Sequence, residues 1–148
     1  KVLTTPALYI SYFLKKNRIE YYDRMTEVRR VGNYEQWVKF FLLALYEAAT
    51  DAIEAIDKLI ALHDETVSFI ETLGKTKKTA RIVFEYLEKN PIIEISKTSE
   101  ALGMAYNTVS RIVKIFEENR ILLQSDKIGK TRIYSYEKYL QILRKDTE

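Results

Sequence analysis

From Tyr34 to about Leu73 the chain has neither proline nor glycine. Apolar or small residues recur there at Val38, Leu42, Leu45, Ala49, Ala52, Ile56, Leu59, His63, Ile70 and Leu73. Spacing by three and four predicts one long amphipathic helix, with a weak place around Thr66. At the usual rise per residue it would reach roughly 60 Å, more than a single small core covers. Either the helix bends near Asp64, or part of its apolar face meets another surface. Ala49 and Ala52 would admit a second helix closely, so Leu45, Ala49, Ala52, Ile56, Leu59 and His63 form a candidate self-association face for a homodimer. Packing against helices outside this sequence is the alternative. Upstream, Pro6 suits the first turn of a helix running to about Lys16. Asn17 with Glu20 predicts a capped helix through about Arg30, and Val31-Gly32 ends it. Asn33 with Gln36 repeats the capping pattern before the long element.

After Gly74 the pattern changes. Residues 79–88 predict a helix with Ile82, Val83, Tyr86 and Leu87 inward, ended by Asn90-Pro91. Ile92 to Ile95 reads as a short extended piece, and Ser96 to Leu102 as a second helix capped by Ser96 or Thr98. Gly103-Met104-Ala105 makes a tight turn, and Tyr106 to Glu118 a third helix with Val109, Ile112, Val113 and Phe116 buried. A strand over Ile121–Gln124, a hairpin over Ser125–Lys130 and a return strand over Thr131–Tyr134 follow, then a closing helix over Tyr136–Leu143. In the return strand, alternation sets Ile133 on one face and Arg132 with Tyr134 on the other. This order of helices, glycine turn and basic hairpin resembles winged helix-turn-helix domains such as those of bacterial transcription regulators. The fold class expected is mainly α: a helical bundle segment with one long helix over residues 1–74, then a winged helix-turn-helix domain with a small β-hairpin over residues 75–148.

Charge follows the same division. Up to Gly74 there are 9 Lys/Arg against 11 Asp/Glu; from Lys75 onward there are 15 against 10. The net of +3 is thus concentrated in the second half, where a polyanionic partner is favoured. If the apolar stripe of the third helix faces the core, Asn107, Thr108, Ser110, Arg111 and Lys114 point outward. Such a row suits a major groove, where Asn pairs with adenine and Arg with guanine. Lys127, Lys130 and Arg132 of the hairpin would meet phosphates. Duplex DNA is therefore the expected partner. The alternative is a protein-contact, dimerisation or target-positioning module, because winged helices also serve in that way and Tyr106, Glu117 and Glu118 share the third helix.

Composition removes much other chemistry. The chain of 148 residues has no cysteine and one histidine, which excludes disulfides, thiolate nucleophiles and multi-histidine zinc sites. His63 has no second histidine or nucleophile completing a catalytic arrangement and reads as a packed or interface residue. Glu20, Asp23 and Glu27 share a helix face with Arg24 and Arg30, a solvated face rather than an acid–base pair. No segment is apolar for long enough to span a membrane, and no secretory leader is seen, so a soluble, cytoplasmic protein is expected. The chain opens on Lys1-Val2-Leu3 rather than Met, which suggests a piece of something longer.

Leu8-Tyr9-Ile10-Ser11, Lys16-Asn17-Arg18 and Glu20-Tyr21-Tyr22-Asp23 fall in an order and spacing that closely resemble the region just after the active site of Fic-family proteins. Gly32-Asn33-Tyr34-Glu35-Gln36-Trp37 matches the family's following Gly-x-x-x-x-Trp. Many bacterial members also append a C-terminal winged helix. The resemblance implies a parent enzyme that transfers AMP from ATP, usually with Mg²⁺, to a hydroxyl of a target protein. The family's His-Pro-Phe-x-x-Gly-Asn-Gly-Arg motif is absent here, as is its inhibitory Ser/Thr-x-x-x-Glu-Gly helix. No catalytic residue, metal site or cofactor is therefore carried onto this chain; ATP and Mg²⁺ belong to the implied parent.

Overall fold

A computed structural model describes residues 9–128 and 131–144, the side chains of 126–128 and 131 excepted. Packing divides the chain into two compact units, the first ending at Lys58 and the second running from Leu59 to Arg144.

The first unit holds α1 (Ile10–Lys16), α2 (Arg18–Val31) and the greater part of α3 (Tyr34–Glu71). Gly32 takes the left-handed conformation that ends α2, with φ 70° and its N–H donating to the Val28 carbonyl. Asn17 does not cap α2 as expected: its side-chain amide turns back and donates to the Phe13 carbonyl, closing α1 instead. Gln36 bridges α3 to α2 by donating to the Arg24 carbonyl at 3.0 Å. An aromatic cluster fixes the three helices. The Tyr21 and Trp37 rings meet edge-on at 5.4 Å, Trp37 lies 5.9 Å from Phe40, and Phe40 lies 6.1 Å from Phe13. Arg24–Glu20 and Arg30–Glu27 pairs at 2.9 Å lie at the surface, so the acidic face of α2 is a solvated one.

The second unit is winged-helix-like. It begins with the last turns of α3 and continues through a short 3₁₀ turn into α4 (Lys77–Lys89), β1 (Ile92–Glu94), α5 (Ile95–Leu102), α6 (Tyr106–Glu118), β2 (Leu123–Ile128), β3 (Thr131–Ser135) and α7 (Glu137–Arg144). The strands form one antiparallel sheet in the order β1-β3-β2. The core gathers Ala80, Val83, Phe84 and Leu87 of α4, Val109, Ile112, Val113 and Phe116 of α6, and Ile93, Leu122, Tyr134 and Tyr136 around the sheet. Leu62 and Ile70 of α3 join it. The third-helix stripe is the expected one. In α4 the inward face is rotated, so that Phe84 is buried and Ile82 is 43% exposed. Ala80, Phe84 and Leu87 lie on one side of the helix, and Ile82 opposite them. Ser96 and Thr98 are not caps: Glu94 holds the N-cap position of α5, and Thr98 is buried.

The hairpin also differs from its expected form. β2 extends to Ile128, well past Gln124. Gln124 pairs with Tyr134, but Lys127 pairs with Arg132, so the register shifts by one residue between them. That β-bulge places two cationic residues of the wing directly opposite each other in register.

Candidate nucleic-acid interface

The helix-turn-helix is set by two left-handed turns. Gly103 ends α5 at φ 61°, and Met104 N–H donates to the Ser99 carbonyl at 2.9 Å, which swings the chain into α6. At the far end of α6, Ile121 N–H donates to the Phe116 carbonyl at 2.8 Å and Arg120 N–H to the Glu117 carbonyl at 3.0 Å. This is the same double closure, but its left-handed residue is Arg120, at φ 56°, rather than a glycine or Asn119. Asn119 instead donates its side-chain amide to the Ile115 carbonyl.

With Val109, Ile112, Val113 and Phe116 locked inward, the remaining positions of α6 sort by helical angle. Asn107, Arg111 and Lys114 are exposed on the outward face, together with Glu118, which lies 3.8 Å from the Lys114 ammonium. Ser110 and Thr108 are half-buried at opposite edges of that face. Ala105 precedes the helix with extended backbone and offers no side-chain cap, so the first amides of α6 are uncapped by any side chain.

The sheet supplies the second wall. A groove of about 640 Å³ runs between α6 and β3, lined by Tyr106, Ser110, Lys114 and Glu117 on one side and Arg132 and Tyr134 on the other, with Glu94, Ile95 and Ser96 at its end. Arg132 and Tyr134 share the strand face that alternation assigns them, with Tyr134 buried and Arg132 exposed. Of the wing cations, Lys127 is placed by its backbone register alone, and Lys130 lies outside the described residues.

Sequence reasoning named Glu117 but missed the second carboxylate of this groove, Glu94. Glu94 accepts from the Ser96 hydroxyl at 2.6 Å and lies 2.9 Å from the Lys97 ammonium. Those two neighbours hold its carboxyl below the ordinary glutamate range, so it is charged at neutral pH. Glu117 of α6 lines the same groove. The groove therefore offers Lys114 and Arg132 to an anion and Glu94 and Glu117 to a hydrogen-bond donor, whereas the outward face of α6 offers Asn107 and Arg111.

The candidate self-association residues lie along α3. In the first unit Leu45 and Ile56 are exposed, while Ala49 and Ala52 are half-buried. In the second unit Leu59 is half-buried, and His63 is engaged with α4: its Nδ1 lies 2.6 Å from Glu88 Oε1 and its ring 5.6 Å from that of Phe84. Among the described residues no group of three or more His, Cys, Asp and Glu is placed to hold a metal ion, and no helix is long and apolar enough to cross a membrane.

A scan against models of known protein families and a search of curated proteins return no match to this chain.

Proposed function

We propose that the second unit binds duplex DNA, α6 entering the major groove and the β2–β3 wing lying along the backbone. One observation carries the reading: packing of Val109, Ile112, Val113 and Phe116 turns Asn107, Arg111 and Lys114 to solvent as a single row, with Arg132 of the wing on the groove beside it. Asn107 and Arg111 have the donor and acceptor patterns that read adenine and guanine edges. Lys114, Arg132 and the wing lysines supply phosphate contacts. The chain as a whole reads as a C-terminal, non-catalytic part of a cytoplasmic Fic-type protein adenylyltransferase. Support comes from the residues that carry the resemblance, which stand in family order from Leu8, outside the described residues, through α1 and α2 to the start of α3, ahead of the winged-helix-like unit.

The test is fluorescence anisotropy of the full chain on random-sequence duplex, titrated across salt, beside the Arg111→Ala/Lys114→Ala variant. Binding that weakens steeply with salt is expected, with the variant losing roughly tenfold and its log–log salt slope falling by about one for each phosphate contact removed. No binding at low salt, or equal binding by the variant, overturns the reading in favour of a protein-contact module.

A second reading stands beside it, because a different observation favours it. Large apolar residues on α3 of the first unit are solvent-facing, among them Leu42, Leu45, Ile53 and Ile56. They support self-association through that helix.

A further inference from the structure

Four of the exposed apolar residues of α3 form two-fold pairs about Ala49. Leu45 and Ile53 lie four residues either side of Ala49; Leu42 and Ile56 lie seven either side. All four are exposed, at 56% for Leu42, 37% for Leu45, 60% for Ile53 and 48% for Ile56. The small Ala49 sits at the centre.

We infer that α3 pairs with α3 of a second copy in antiparallel orientation, on a two-fold axis at Ala49. The inference rests on the self-association reading above and adds its geometry. In that arrangement Leu42 meets Ile56 of the second copy, Leu45 meets Ile53, and the two Ala49 residues let the helices approach to about 8 Å. A parallel pair would instead use the seam Leu45, Ala49, Ala52 and Ile56, leaving Ile53 outside it. Charge agrees with the antiparallel choice. Lys39 and Asp57 lie on the same flank of the stripe, five helical turns apart. About a centre at Ala49, each Lys39 comes within about 3 Å, along the axis, of the opposite copy's Asp57. The area is sufficient. Val38 at 49% and Tyr46 at 69% exposure extend the patch. The six large side chains then amount to roughly 600 Å² per copy, or about 1,200 Å² in the pair, at the lower edge of the range of specific interfaces.

The chain contains no cysteine, so single-cysteine variants of the full chain report geometry cleanly. Under mild oxidation Ala49→Cys is expected to form a covalent dimer. Leu42→Cys and Ile56→Cys should each remain uncrosslinked alone, because an antiparallel pair separates equivalent positions by roughly 21 Å. Mixed, they should crosslink to each other. Light scattering on the unmodified chain gives the mass independently. A dimer in which Leu42→Cys crosslinks to itself overturns the antiparallel geometry and leaves self-association standing. A monomer with no crosslink at any position overturns both, and assigns this face to a different chain segment or partner. Neither result bears on DNA binding by α6.

Discussion

Thr66 and Tyr136 form a buried hydroxyl pair that ties the end of α3 to the winged-helix core. Thr66 is 3% exposed and Tyr136 1%, with their oxygens 3.1 Å apart. Thr66 gives its own proton to the Leu62 carbonyl at 2.8 Å. Tyr136 must therefore donate to Thr66, and the two substitutions are unequal. Tyr136→Phe removes one neutral hydrogen bond and leaves Thr66 donating as before, a loss of about 1 kcal/mol. Thr66→Val keeps the shape but strands a buried phenol hydroxyl, a loss of about 1–3 kcal/mol. With Tyr136→Phe already present, Thr66→Val strands nothing, so the double variant should be less damaged than the sum by about 1 kcal/mol. Native-state hydrogen exchange at the Val83 and Ile112 amides reads the stability of this core without reference to the first unit. Additive losses would refute the pairing. Burial, partly offset by the bond to Thr66, raises the Tyr136 phenol above its ordinary value. A raised folded-state value means that the contribution is intact below about pH 10, where an unfolded tyrosine begins to ionise, and is lost as pH climbs from there toward the folded value. Tyr136→Phe should flatten that alkaline decline. A parallel decline in both proteins would rule the assignment out.

Two further outcomes follow from the ends of α6. Arg120 occupies a left-handed position within a double helix closure, so Arg120→Gly should stabilise the second unit by about 0.5–1 kcal/mol, measured by the same exchange; a destabilised variant would show that the arginine side chain outweighs the backbone strain. Glu117 lies in the groove opposite Arg132, and on the DNA-binding reading Glu117→Gln should raise affinity for random duplex by roughly two- to fivefold at low salt; unchanged anisotropy titrations would place the nucleic acid away from this groove.

The helical content was legible because the chain's strongest local signals agree with its packing. The inward stripe of α6, Gly103 at the turn and Gly32 at the end of α2 each follow from one residue's backbone preference or from a repeated apolar spacing. Errors arose where two faces competed. In α4, Ile82 and Phe84 are both large and apolar, and only the surrounding elements decide that Phe84 goes inward. Asn17 could satisfy either the helix before it or the one after; it closes α1, a choice that local sequence does not encode. The bulge in β2 was hidden because a one-residue register shift is set by cross-strand bonding, which leaves no trace in the spacing of a single strand. The outward row of α6 was readable for the same reason as its core, since fixing one face of a helix fixes the other. Glu94 was not, because it reaches the groove from an element remote in sequence.

The position of the boundary shows how charge and packing carry different information. Charge changes sign at Gly74, but the second unit begins at Leu59. Charge is a property of surface, and it marks where a polyanion would be attracted. The boundary between cores is marked by burial, and Leu62, Thr66 and Ile70 are buried within the second unit. They recur every four residues along one edge of α3, so the last turns of that helix serve as an additional wall of the winged-helix core. Thr66, which interrupts the apolar pattern and so looked like a weak place, is the residue that meets Tyr136. A polar residue in an apolar stripe is read more accurately as a request for a buried partner than as a break in the helix. Here the partner stands seventy residues downstream, and the bond between them joins the first element of the unit to the start of its last.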